Sequence, residues 1–94
     1  LMNSGKMYYK IEYDLRVKND IKKIAKNWLL QIMESVNTKL TTDPVKFGKP
    51  LRKALKNYRR LRVGNYRVIY KVDSDIVKIF AIAHRSIIYR NIDF

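Results

Sequence analysis

The side chains best suited to chemistry lie near the end of the chain, between His84 and Tyr89. Histidine exchanges protons most readily near neutral pH, and His84 is the one histidine present, although a lone histidine is more often structural. Arg85 can bind phosphate through two hydrogen bonds but is a poor proton acceptor, whereas Tyr89 can stack on a base or donate its phenolic proton. Together these groups suit RNA cleavage by the neighbouring 2′-hydroxyl, which requires orientation and charge stabilisation rather than a metal ion.

The balance of charge indicates a polyanionic partner. The 94 residues include 21 Lys and Arg against 8 Asp and Glu, a formal charge of +13, and residues 46–67 carry nine basic side chains and no acid. Charge runs are commonly solvated surfaces, but the interleaved Tyr58 and Tyr66 favour a surface that binds nucleic acid or an acidic protein. The absence of cysteine excludes disulfides, and with a single histidine it leaves no N/S ligand set for a structural zinc ion.

A scaffold for these residues follows from the apolar pattern. Residues 8–13 predict a strand, and apolar residues at helical spacing over 15–40 predict two helices in a hairpin, with a break near 25–27. Asp14 can cap the first helix, and Pro44 ends the second. Residues 58–63, 66–72 and 76–83 predict three more strands. The order β-α-α-β-β-β indicates an α+β fold, in which a small antiparallel sheet packs against an N-terminal helical hairpin.

Strand alternation predicts which side chains share a face with the arginines. If Gly64 and Asn65 form a two-residue turn, Arg62 lies directly opposite Arg67. Two like charges in such a pair repel each other unless an anion such as phosphate lies between them. The predicted face carries Tyr58, Arg60, Arg62, Arg67, Ile69 and Lys71.

The next turn extends this face to the last strand. A three-residue turn at 73–75 places Ala81 beside Arg67, with Val77 and Ile79 on the same face. Ala83 and Arg85 follow if the strand stays regular. A bulge anywhere between residues 76 and 85 would reverse the assignment.

Length and composition indicate one domain over residues 1–94. Residues 1–6 are expected to be an addition to the native chain or disordered, with Met7 as a second candidate start. No segment resembles a secretory signal or reaches the roughly 18 uninterrupted apolar residues that a membrane span needs. The expected location is the cytoplasm, with no membrane partner.

Three segments together resemble the RelE/ParE superfamily, the toxins of bacterial type II toxin–antitoxin modules. They are KPLR at 49–52, YRRLRVGNYRVIY at 58–70 and AIAHR at 81–85, the last followed by Tyr89 and Arg90. The resemblance covers about residues 8–90. It implies the family's RelE-like fold, a small antiparallel sheet with an N-terminal helical hairpin, which matches the element order derived above.

The resemblance implies one of two activities. RelE-like members cleave mRNA in the ribosomal A site by 2′-hydroxyl attack, leaving a cyclic phosphate, without a metal or cofactor, whereas ParE-like members inhibit DNA gyrase. His84, Arg85 and Tyr89 favour a ribosome-dependent endoribonuclease that inhibits translation, and gyrase inhibition is the alternative. The expected partners are an acidic, partly disordered antitoxin, the ribosome and mRNA.

The family's functional positions correspond to two groups of residues in this chain. Catalytic roles are expected for Arg67 and Arg85, which would stabilise transition-state charge, for His84 as acid or base, and for Tyr89 as a stacking or proton-transferring group. Contacts with RNA and phosphate are expected for Lys49, Lys53, Arg59, Arg60, Arg62 and Lys71. Several family sites use lysine where this chain has Tyr58, Arg59 or Arg60, so the group that removes the 2′ proton stays open.

Overall fold

A computed structural model describes residues 8–90, and it shows a five-stranded sheet with the helices packed on one face. Residues 1–6, for which an added or disordered segment is predicted, lie outside the described residues. The elements are β1 (Lys10–Tyr13), α1 (Val17–Lys22), α2 (Lys26–Ser35) with a π-helical extension (Val36–Leu40), α3 (Pro44–Phe47), β2 (Lys49–Pro50), a 3₁₀ turn (Lys53–Leu55), β3 (Arg59–Val63), β4 (Tyr66–Asp73) and β5 (Ile76–His84). The strand order is β1-β5-β4-β3-β2. Within residues 8–90, none of the helices has the length and apolar character to cross a bilayer.

The helical hairpin forms where the apolar spacing predicts it, and it breaks between α1 and α2. Ahead of α1, the Asp14 carboxylate accepts the backbone N–H of Arg16 at 3.0 Å and its side-chain Nε at 2.9 Å. Pro44 is the first residue of the short helix α3, a position that suits proline. Asp43 caps this helix by accepting the N–H of Lys46 at 3.2 Å.

The main core lies between the helices and the sheet, and Tyr70 joins it to α3. The Tyr70 side chain is fully buried, and its hydroxyl donates a hydrogen bond to the carbonyl of Pro44 at 2.5 Å. Burial raises the pKa of Tyr70 to about 12. Glycine is required at position 48 because a β-carbon there would overlap the Tyr70 hydroxyl.

The hairpin of β3 and β4 has the predicted register, with Arg62 directly opposite Arg67. Gly64 has a φ of 59°, as the first central residue of a type II′ turn requires. Trp28 on α2 covers this turn so closely that a β-carbon at Gly64 would lie 2.6 Å from its ring carbon Cζ3. The turn therefore needs glycine both for its backbone conformation and for its packing.

The predicted register between β4 and β5 is wrong at the turn. Asp73 pairs with Ile76, so the turn has two residues rather than three. Val77 and Ile79 consequently lie in the core beneath the helices and not on the arginine face.

A β-bulge then shifts the register by one more residue. Tyr70 pairs with Ile79 but Ile69 pairs with Ala81, which leaves Phe80 as the extra residue. The bulge returns Ala81 to the arginine face, as predicted, but Ala83 rather than Ala81 lies opposite Arg67.

The α+β class is confirmed, but the sheet is mixed rather than wholly antiparallel, because β1 pairs in parallel with β5. Since β1 ends at Tyr13, the next part of β5 has no strand neighbour on that side among residues 8–90. Asp20 of α1 substitutes for one, as its Oδ2 accepts the N–H of Ile82 at 2.9 Å. The helical hairpin thus satisfies a sheet amide that the short edge strand leaves open.

Candidate functional site

Two rows of side chains cross the sheet on the face opposite the helices, here called the basic face. One row consists of Ala83, Arg67 and Arg62, and the next of Ala81, Ile69, Arg60 and Lys49. The rows are two residues apart along each strand, which corresponds to about 7 Å. Sheet pairing therefore brings three arginines and a lysine together from three strands, with small or apolar neighbours on β5.

The described residues do not neutralise the charge of this face. Among residues 8–90, no carboxylate forms an ion pair with Arg60, Arg62, Arg67 or Arg85. Partial burial and the positive charges of Arg62, Arg60 and Arg85 lower the pKa of Arg67 from its ordinary value, while Tyr89 acts in the opposite direction. Such a cluster favours binding of an anion.

The hairpin turn fixes the position of Arg67. Its Nη1 donates to the carbonyl of Gly64 at 3.0 Å and to that of Tyr66 at 2.9 Å. The turn conformation of Gly64 therefore determines where this guanidinium lies, and its other N–H groups remain available to a ligand.

His84 ends β5 with one ring nitrogen already engaged. The backbone N–H of Ser86 donates to His84 Nδ1 at 3.2 Å, and the Ser86 Oγ lies 2.9 Å from the same atom. Because a backbone amide can only donate, Nδ1 is an acceptor, and the neutral ring carries its proton on Nε2. The ring also packs edge-on against Tyr66, with centroids 5.7 Å apart. Nε2 is thus the nitrogen left for a substrate.

After β5 the chain folds back over the basic face and brings Tyr89 onto it. Ile88 is buried against Ile69 and Ala81 in a small second core. This anchor holds Tyr89, whose side chain is 46% exposed, beside Arg60. The Arg60 Nη1 donates to the Tyr89 hydroxyl at 3.2 Å. Tyr89 therefore presents an accessible ring whose hydroxyl is held by a guanidinium.

These groups enclose a cleft of about 480 Å³, here called the first cleft. It is lined by Arg60, Arg62, Arg67, His84, Arg85, Ser86 and Tyr89. All four residues predicted to be catalytic are in this set, as are two of the six predicted to contact RNA. Ser86 was not predicted for this site, although its position two residues after His84 is a local signal for a side-chain to backbone turn.

The other predicted contact residues are dispersed. Lys49 lies beside Arg60 on β2 but outside the first cleft, and Lys71 lies at the far end of the same face, 5.8 Å from the centroid of the Tyr58 ring. Lys53 is exposed in the 3₁₀ turn.

Arg59, for which an RNA contact is predicted, lies on the other face of the sheet from Arg60 and Arg62. Alternation along β3 turns it to the helix side, where its Nη1 donates to the carbonyls of Val45 at 3.1 Å and Gly48 at 2.9 Å. Arg59 thereby links α3 to the sheet.

Within the described residues, no three His, Cys, Asp or Glu side chains converge as metal ligands would.

Residues 11–89 match the family described as the ParE toxin of the type II toxin–antitoxin system, parDE. The chain is similar to Toxin RelG of Mycobacterium tuberculosis, with 31% identity over 86 residues that cover 89% of this chain and 99% of that protein. It is also similar to Toxin RelE of the same organism, with 32% identity over 84 residues that cover 87% of each.

A solved structure extends the similarity to three dimensions. One chain of the toxin–antitoxin complex RelBE2 from Mycobacterium tuberculosis matches this fold with a TM-score of 0.78 and 29% identity, over 83% of this chain and 99% of that one. The segment matched to the toxin family includes every residue that lines the first cleft.

Proposed function

The chain belongs to the RelE/ParE superfamily of toxins from type II toxin–antitoxin systems, and on that premise we propose that it inhibits translation by cleaving ribosome-bound mRNA. The observation that carries this proposal is the first cleft, in which four arginines without carboxylate partners among residues 8–90 meet His84 and Tyr89. This combination can bind a phosphodiester, hold an adjacent nucleotide and offer a proton.

The reaction assigned to the cleft is attack by a 2′-hydroxyl on its own 3′ phosphate. The 2′-oxygen forms a bond to phosphorus while its proton passes to water, and the bond from phosphorus to the 5′-oxygen breaks as that oxygen takes up a proton. The products are a 2′,3′-cyclic phosphate and a 5′-hydroxyl. Arg67 and Arg85 would bind the non-bridging oxygens, whose negative charge increases in the transition state. His84 Nε2 would donate to the leaving 5′-oxygen.

Primer extension on mRNA in a reconstituted translation reaction tests the proposal. Wild-type protein should produce cleavage with codon periodicity. Arg85→Ala should reduce the cleavage rate about 100-fold, the size of effect seen when one donor to a developing oxyanion is removed. Lys22→Ala, which removes an exposed cation on α1, is the matched control and should cleave at the wild-type rate. Intact mRNA in the wild-type reaction would refute the nuclease.

Gyrase inhibition is the second candidate, and the match of residues 11–89 to the ParE toxin family supports it. A DNA supercoiling assay with the same proteins separates the two. Loss of supercoiling with intact mRNA would establish the ParE-like activity, in which the basic face serves as a docking surface. Unchanged supercoiling with cleaved mRNA would establish the nuclease.

The proposal includes an antitoxin partner. The similar RelBE2 structure is a toxin–antitoxin complex, and the arginines of the first cleft, which have no carboxylate partner among residues 8–90, are suited to an acidic segment. A segment that covers the first cleft would exclude mRNA. Addition of the partner should therefore abolish cleavage, and the protection should weaken as salt concentration rises.

A further inference from the structure

A second basic cleft adjoins the first one. It has a volume of about 680 Å³ and lies between β2, the 3₁₀ turn and Tyr89. Its cations are Lys49, Arg52 and Arg60, and its apolar side chains are Pro50, Leu51 and Leu55. Arg60 and Tyr89 line both clefts, so the hydrogen-bonded pair of these two side chains is the wall between them.

The second cleft is built by backbone pairing at the edge of the sheet. Lys49 on β2 pairs with Arg60 on β3, which places their side chains next to each other. The amide of Leu51 donates to the carbonyl of Tyr58 at 2.9 Å, and the amide of Leu55 donates to that of Arg52 at 3.1 Å. These bonds fold residues 51–55 into a shelf beside the strand edge. The result is an apolar surface bordered by cations.

We propose that the second cleft is a subsite for the nucleotides next to the cleaved bond, so that single-stranded RNA passes from one cleft to the other around Tyr89. The inference rests on the proposed function, and it adds a substrate that extends beyond the reacting dinucleotide. Lys49 and Arg52 bind the flanking phosphates, and a base packs on the shelf formed by Pro50, Leu51 and Leu55.

Continuity and charge favour RNA as the occupant. The two rows of the basic face lie about 7 Å apart along the strands, a separation comparable to that of successive phosphates in an extended strand. Tyr89 stands between the clefts with an accessible ring, the arrangement by which proteins hold single-stranded bases without reading their sequence. The apolar surface of Pro50, Leu51 and Leu55 offers a packing contact for the face of a base. A purely acidic peptide has no apolar group to place there.

NMR titration of the full chain with uncleavable RNA tests the subsite. The probes are the dinucleotide ApA and penta-adenylate, both with 2′-O-methyl groups that remove the attacking hydroxyl. The dinucleotide should shift the amide signals of Arg67 and Arg85 but not those of Leu51 and Leu55. The pentanucleotide should shift these and also the amides of Leu51 and Leu55.

The double variant Lys49→Ala/Arg52→Ala should weaken pentanucleotide binding about tenfold and leave dinucleotide binding within twofold. Its slope of log affinity against log salt should fall by about 1.4, since each phosphate contact on a single strand contributes about 0.7. Both side chains are exposed, so the fold is expected to persist, and a thermal melt checks this. Lys18→Ala/Lys22→Ala on α1 is the matched control and should behave as wild type.

Three outcomes would overturn the subsite. Pentanucleotide binding that is unchanged in the double variant, or a loss that is equal for both probes, would show that the second cleft holds no separate nucleotide. A pentaglutamate peptide that binds as tightly as the RNA and is lost in the double variant would make it a peptide surface. Failure of the proposed function gives a different result, because mRNA would then stay intact on the ribosome. The NMR titration would still show whether the second cleft binds nucleotides.

Discussion

Replacing Arg62 by glutamine should stabilise the protein and impair its activity at the same time. Arg62 lies directly opposite Arg67 in the β3–β4 hairpin, is exposed, and makes no side-chain hydrogen bond within residues 8–90. Its charge is one of the causes that lower the pKa of Arg67. Arg62→Gln removes the repulsion while it keeps most of the side chain and breaks no contact that holds the hairpin.

The size of the effect follows from the cross-strand geometry. Directly opposed β-carbons lie about 5 Å apart, and two unit charges at that separation in water interact by about 0.8 kcal/mol. The flexible guanidinium groups can move apart, so we expect a gain of about 0.5 kcal/mol in the free energy of unfolding. For a chain of this length, that gain raises the melting temperature by about 2–4 °C.

Urea unfolding at low salt and at 1 M NaCl measures this gain and identifies its origin. The Debye length falls to about 3 Å at 1 M salt, so the gain should disappear there. Lys22→Gln on α1 removes one positive charge without an opposed partner and controls for net charge. Destabilisation by Arg62→Gln, or a gain of the same size at both salt concentrations, would refute the electrostatic account of this pair.

Three further predictions concern the scaffold. Tyr70→Phe leaves the Pro44 carbonyl unpaired and should lower the free energy of unfolding by about 1–2 kcal/mol in denaturant titrations. Because the folded pKa of Tyr70 is about 12, above its ordinary value of 10.0, this difference should be full below pH 10 and shrink as pH rises from 10 to 12. Gly64→Ala should destabilise by about 1–3 kcal/mol, since φ is positive and Trp28 must move, and an unchanged melting temperature would contradict this. Ser74→Gly should raise stability by about 0.5–1 kcal/mol in the same melts, because Ser74 has a φ of 55°.

The paired effects at Arg62 illustrate how this fold separates stability from function. The helix side of the sheet holds the main core and the Tyr70 hydrogen bond, so its residues act on stability. The opposite side concentrates like charges, and no carboxylate among residues 8–90 forms an ion pair with them. A surface that costs stability in the free protein and attracts anions is typical of a functional site.

The β3–β4 hairpin and its arginine pair could be predicted because they depend on local rules. A two-residue turn with glycine and the period of two along a strand are sufficient to place Arg62 opposite Arg67. The same rules failed at the next turn, where Ser74 takes a positive φ that favours glycine and no residue type signals it. The bulge at Phe80 then compensated for the shift, so Ala81 and Ala83 lie on the predicted face. The apolar pattern of the strand did not predict this bulge.

By itself, the sequence determined the α+β class, the helical hairpin, the arginine pair and the family, because spacing, turn residues and motifs are local properties of the chain. Only the tertiary structure decided that β1 pairs in parallel with β5, that the Arg59 guanidinium bonds the carbonyls of Val45 and Gly48, and that Tyr89 meets Arg60. These features depend on contacts between residues far apart in the chain. Such contacts form when packing outweighs the entropy lost on closing long loops, and no short window of sequence records that balance.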